Sequence, residues 1–379
     1  MSPDVSELDV MAAEWGGVFD PSVLPDSFGD LLTELVDSAN LMVDGLRQHM
    51  SAPWATRPLH VAFTNSEEVN ARAKKGKDAD YILVTIGVVG KVYGTMYGML
   101  STPSFLPEVG NANQEETPNE LLTAGFPPMP LLGPDDGDEP VEFYLPADQT
   151  RATFAMHLSS TALHFLLYHE IGHIVAGHFE LLEHQGFAAA ISEFGTPAPR
   201  DATTPSLCVL ECDADAFAAH AGSFVDLNPG SDGLWKEVFG WERVPGKDAG
   251  FIAHAAAISI LFRMLGNDGF APESVDPTSH PHPAVRSCLA MSRAMSLAVV
   301  AGRFPVDEFQ RLCRDSIFHV EETWAALGLP GQRFGESSTW AEHVGRLSAE
   351  LGRDYELWKT DLCKFARLPT RWHNSWPTA

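Results

Sequence analysis

The pattern of apolar and polar positions predicts a mostly helical chain with a short β region in its first quarter. From Ser27 to Met50, Phe28, Leu31, Leu32, Leu35, Val36, Leu41, Met42 and Leu46 recur at helical spacing, with Ser27 placed to cap the helix. Leu59 to Thr64 and Tyr81 to Thr85 are short β-rich runs and predict strands. Between them, Asn70-Ala71-Arg72-Ala73 leads into a charged stretch, Lys74 to Asp80, expected as a turn. Gly87 to Leu100 predicts a helix despite its glycines. Ala152 to His184 contains no proline and carries apolar residues at helical spacing throughout, which predicts one long helix. Leu207 to Ala221, Phe251 to Leu265 and most of the chain from Ala284 onward also predict helices, with a break near Gly328 to Gly335. Residues 1 to 26 are acidic and contain proline, and are expected as a loose arm. Loops are expected at 101–147, 186–206, 226–248 and 266–283, the first rich in Pro, Gly and acids. The expectation is an α+β chain, mostly helical, with a small β-sheet beside the long helix. A domain over 1–300, with 101–147 and 226–248 as loop insertions, would be followed by a helical extension over 301–379.

Composition narrows the partners. The 379 residues are 45% hydrophobic, ample for a core, and carry a formal charge of −26. Such a balance repels nucleic-acid backbones and anionic membrane surfaces, so neither is expected as a partner. Five cysteines, an odd number without a Cys-x-x-Cys pair, favour a reduced, cytoplasmic setting. Met1-Ser2-Pro3-Asp4 shows no basic region followed by an apolar one, so no signal peptide is expected. No run of about 18 apolar residues occurs. Tyr81 to Leu100 comes nearest, but Lys91 and several glycines interrupt it.

The chemistry begins inside the long predicted helix, at His169-Glu170-Ile171-Gly172-His173. Residues four apart leave one helical face a turn apart, so His169 and His173 can grip one Zn²⁺ through two ring nitrogens. Glu170 lies beside them, placed to act as a base toward water. A catalytic zinc site usually takes a third protein ligand and leaves one position for water. Continued on the same helix, His178 would sit about 180° from His169, and His157 and His164 would also point away, so all three are expected as core or surface histidines. The better candidate is Glu211, in Leu210-Glu211-Cys212-Asp213-Ala214-Asp215. Glu211 and Asp215 share one face of an otherwise apolar helix. Glu211 could bind the metal while Asp215 accepts the other ring N–H of a ligating histidine. Asp213, on the opposite side, is expected to be solvated. Cys208 and Cys212 are expected as packing residues, although a thiol at 212 could in principle ligate zinc.

His-Glu-x-x-His on one helix followed by Glu-x-x-Ala-Asp on a second resembles the gluzincin clan of zinc peptidases. The pattern is closest to the HtpX and CAAX-prenyl-protease type and to the soluble Lit-type phage-exclusion peptidases. Those families place an Asn-Ala segment and then a strand before the metal helix, as Asn70-Ala71 and Ile82 to Gly87 stand here. They also carry a His-Pro…Arg segment after the glutamate helix, supplied here by Ser279-His280-Pro281-His282-Pro283-Ala284-Val285-Arg286. The resemblance spans roughly 70–286. The prenyl-protease type is membrane-embedded, which this chain's hydropathy does not match, and the doubled His-Pro leaves either His280 or His282 as the counterpart.

The resemblance implies a zinc-dependent endopeptidase acting on a protein or peptide, with Zn²⁺ held by His169, His173 and Glu211 and with Glu170 as general base. By its spacing to Arg286, His280 is taken as the donor that stabilises the oxyanion. Arg286 could pair with Asp215 or Glu211. Tyr81 to Thr85 could offer an open edge for an extended substrate, and 107–147 could act as a lid limiting access. Two rival readings stand beside this one. One is a binding protein whose zinc only staples two helices. The other is a regulator that cleaves when a partner protein triggers it.

Overall fold

In a computed structural model, the β-rich runs near the start of the chain fold into one small sheet. The structure describes residues 6–24, 26–116, 144–186, 190–192, 207–226, 235, 237–239, 246–265, 283–300, 305–329 and 337–368. Strands β1 (Leu59–Thr64), β2 (Ala71–Lys75), β3 (Asp80–Thr85) and β4 (Ala190–Ser192) stand in the order β1-β3-β2-β4. β1 runs parallel to β3, while β2 is antiparallel to both β3 and β4. All six residues of β3 are buried. The open edge expected at Tyr81 to Thr85 is therefore absent, because β1 and β2 occupy both sides of that strand. Part of the expected turn at 74–80 is ladder instead, with Lys74 opposite Tyr81 and Lys75 opposite Asp80.

Helices make up most of the rest: α1 (Glu7–Ala12), α2 (Asp26–Arg47), α3 (Ile86–Leu100), α4 (Gln149–Val175), α5 (His178–His184), α6 (Leu207–Asp226), α7 (Gly246–Leu265), α8 (Pro283–Val300), α9 (Val306–Ala326) and α10 (Ser337–Phe365). The class is α+β, mostly helical. The N-terminal stretch is not a loose arm. A capping box between Ser6 and Asp9 starts α1, and Ala12 and Trp15 pack against Ala62 and Leu83 on one face of the sheet. The opposite face presents Ala71, Ala73, Ile82 and Val84 to the main core.

α4 is the element around which that core forms. Between Phe154 and Val175 nearly every side chain is buried, as expected for a helix apolar on all sides. It packs against α2, α3, α6, α7 and β2. The single helix predicted from 152 to 184 ends early, at Ala176. Gly177 takes a left-handed φ of 71° and starts α5 in a new direction. Glycine adopts that conformation without a steric penalty, so it serves as the stop.

Arg151 explains why the stretch after α3 is folded. Its guanidinium spends all five N–H groups on carbonyl oxygens: those of Leu100 (2.8 Å), Leu106 (3.0 Å), Val109 (2.9 Å), Thr102 (3.1 Å) and Phe105 (2.8 Å). Glu115 lies 3.7 Å away and receives the N–H groups of Ala147 and Asp148, so it closes the loop's far end. Residues 117–143 of the expected lid lie outside the described residues. Arg151→Met removes the cation and leaves five buried carbonyls facing a thioether. It should lower the unfolding free energy by about 3–5 kcal/mol, read as an earlier urea midpoint. A midpoint equal to wild type would show that the loop does not depend on this anchor.

The C-terminal helices share the main core. Leu312, Val320 and Trp324 of α9 and Tyr355 and Leu362 of α10 belong to the same buried cluster as Phe154 and Phe165 of α4. Arg367, just beyond α10, pairs with Asp80 and Glu180 and lies 4.0 Å over the Trp54 ring. Its backbone N–H donates to Val175 O at 2.9 Å, tying the chain's last described turn to the end of α4. Among the described residues no helix is long and apolar enough to cross a membrane.

Candidate metal centre

α4 presents His169 and His173 on one face, a turn apart, and α6 crosses that face. The approach depends on Gly172. A Cβ there would sit 3.0 Å from Ala214 Cα and 3.1 Å from Ala214 O, so any larger residue would press the two helices apart by a few tenths of an ångström. The contact brings Glu211 into reach. His169 Nε2 lies 2.9 Å from His173 Nε2, and the Glu211 carboxylate lies 3.3 Å from the first and 3.6 Å from the second. The three side chains offer ligand atoms within 4.8 Å of one another, and all are buried.

The outer nitrogens of both rings are engaged. His169 Nδ1 lies 2.8 Å from Asp215 Oδ1, and His173 Nδ1 lies 2.8 Å from His178 Nδ1. A carboxylate accepts, so His169 carries its proton on Nδ1 and turns a bare Nε2 inward. With His173 protonated likewise, two nitrogen lone pairs and a carboxylate face one point, an arrangement that a cation relieves. The spacing fits zinc. Tetrahedral bonds of about 2.0–2.1 Å set ligand atoms roughly 3.3–3.4 Å apart, and the three observed separations bracket that value.

Arg286 on α8 holds Asp215 with two N–H bonds, Nε to Oδ2 at 2.8 Å and Nη2 to Oδ1 at 2.9 Å, and its Nη2 also lies 3.5 Å from Glu211. Of the two partners expected for Arg286, both are within ion-pair distance, and Asp215 takes the hydrogen bonds. Burial by itself raises the Asp215 pKa. The charge and hydrogen bonds of Arg286, with a smaller contribution from His169, outweigh it and hold the carboxyl below its ordinary value. The guanidinium lies 4.6 Å from the centre of the Phe262 ring on α7. Glu170 is buried beside the pair, and Arg72 of β2 lies within electrostatic reach of it. His280 and His282 lie outside the described residues.

Two expectations need correction. Asp213 is not solvated but fully buried, and His178 does not point away from the centre. The turn at Gly177 swings His178 back under His173, where its Nε2 meets Asp213 Oδ2 at 3.2 Å. Sequence signals for both were present. A glycine after Ala176 marks a helix end, so the angle counted along one continuous helix does not apply past it. An acid between Cys212 and Ala214 in an all-round apolar helix needs a buried partner. His157 and His164 lie elsewhere, the first among the Phe154, Trp235 and Phe239 rings, the second bonded to Ser160 O. Cys212 is buried, and burial followed by the charge of Asp215 pushes its thiol pKa well up, which disfavours a thiolate ligand.

Comparison of the chain with known protein families, with curated proteins and with solved structures gives no match.

Proposed function

We propose that this chain is a zinc-dependent endopeptidase with a zincin-like centre on α4 and α6, acting on a protein or peptide substrate. The observation that carries the reading is the convergence of His169 Nε2, His173 Nε2 and the Glu211 carboxylate at one buried point. Two imidazoles and one carboxylate are a donor set that suits zinc, and they leave a fourth position open. A zinc ion held there would polarise a scissile carbonyl and bring the pKa of a water molecule toward neutrality. Glu170, adjacent to His169, takes the water's proton and passes it to the leaving amine. Asp215, held in turn by Arg286, keeps the His169 ring oriented with Nε2 inward. Two neutral rings and one carboxylate leave a divalent ion with net positive charge, as an electrophile requires.

A zinc that merely staples helices would normally have all four positions filled by Cys and His. The group here contains no cysteine, which supports catalysis over stapling. Burial favours a gated version of the reading. His169, Glu170, His173 and Glu211 are each 1% exposed, an enclosure that suits a centre opened to substrate by a trigger. A regulatory partner protein, or one particular substrate, would supply that trigger.

The purified chain should hold about one zinc per molecule and should create new N-termini in a peptide library derived from whole-cell protein. Chelation should abolish these cleavages, and added zinc should restore them. A chain that fails to take up zinc even when loaded would refute the reading.

A further inference from the structure

Asp213 and Asp215 leave α6 about 200° apart, so Asp215 reaches the ring of His169 on α4 while Asp213 reaches α5. Between Asp213 and the centre stands His178, with both ring nitrogens committed: Nδ1 at 2.8 Å from His173 Nδ1 and Nε2 at 3.2 Å from Asp213 Oδ2. His178 and Asp213 are each 0% exposed. The hydrogen-bond logic admits one consistent assignment with neutral rings. Asp213 accepts, so His178 carries its proton on Nε2 and has a bare Nδ1. That Nδ1 accepts from His173, which therefore carries its proton on Nδ1 and turns Nε2 toward His169 and Glu211.

We infer that His178 and Asp213 are positioning residues for His173, a two-residue relay that fixes its tautomer and ring orientation in the binding-competent state. The inference rests on the zinc reading of the centre and adds to it. His169 is oriented directly by a carboxylate, whereas His173 is oriented through a second imidazole, because α5 stands between His173 and the acid on α6. With both nitrogens spent, His178 is not itself a ligand. The relay is rooted in the C-terminal third of the chain: α6 packs against α8 and α10, and buried Arg293 and Tyr355 on those helices interact electrostatically with Asp213.

The test measures zinc dissociation constants of the full-length chain by chelator competition, together with the visible spectrum of the Co²⁺-loaded protein. His178→Phe keeps the volume but cannot accept from His173. It should weaken zinc binding about 10–100-fold, as loss of an outer hydrogen-bond partner does, and should shift the Co²⁺ bands because the His173 ring is released. His178→Gln, which can both accept and donate, should recover part of the affinity. Asp215→Asn serves as the positive control on the other ring. Should His178→Phe fail to fold, Asp213→Asn is expected to act in the same direction with little change of shape. Zinc affinity within twofold of wild type in the folded His178 or Asp213 variants, while Asp215→Asn weakens it, overturns the relay and leaves the metal reading standing. A wild type whose zinc affinity is unchanged by His169→Ala overturns the metal reading and the relay with it.

Discussion

Glu170→Gln should retain zinc and the native fold while cutting peptide turnover by about 10²–10⁴-fold, the range a positioned general base supplies. The side chain keeps its size and its place on α4, where Glu170 is buried between the two histidines in sequence and lies within electrostatic reach of Arg72. What it loses is the ability to accept a proton from water. The ligand atoms His169 Nε2, His173 Nε2 and the Glu211 carboxylate are untouched, so zinc content and binding affinity should match wild type. The measurement pairs metal analysis with cleavage mapping on the same preparations. Cleavage at the wild-type rate by the zinc-loaded variant would remove Glu170 from the mechanism, and with it the case for metal-assisted hydrolysis by this centre.

Glu211→Ala should reduce bound zinc from about one per chain to near none, because it removes one of three first ligands. The two histidines would remain 2.9 Å apart with nothing anionic between them. Arg286 Nη2, 3.5 Å from the Glu211 carboxylate, would then lose one of its two acidic partners, and its charge would be less well offset beside the site, which disfavours a cation. His169→Ala and His173→Ala should behave alike. Full zinc occupancy in Glu211→Ala would mean that the third ligand has been misassigned. The segment 266–282, which carries His280 and His282, would then be the place to look.

Periodicity was enough to find the longer helices and the strands β1 and β3, since burial of one face imposes its own repeat whatever the fold; β2 and α1 were missed, because Ala71–Lys75 is short and charged and Glu7–Ala12 spans under two turns. The His169–His173 pair was legible for a similar reason. A four-residue spacing on a helix is a local geometric fact, and tertiary structure has only to bring a partner to that face. Glu211 and Asp215 were legible because two acids at one helical face interrupt an otherwise apolar helix. The placement of Arg286 was left between two partners, and the crossing of α8 behind α6 settles it, with hydrogen bonds to Asp215.

The sequence by itself determined the class of elements, the helix bearing the centre, and the residue types able to hold a cation. Each of these follows from spacing within one element. Only the tertiary structure decided how the elements meet. Gly177 turns the chain, so His178 comes under His173 rather than continuing along α4. β1 and β2 flank β3, which removes the open edge expected at Tyr81 to Thr85. Gly172 leaves room for the close approach of Ala214, on the helix that carries Glu211 to the two rings. Strand order, helix crossing and the direction of a chain after a turn depend on residues far apart in sequence, and no periodicity within a segment encodes them.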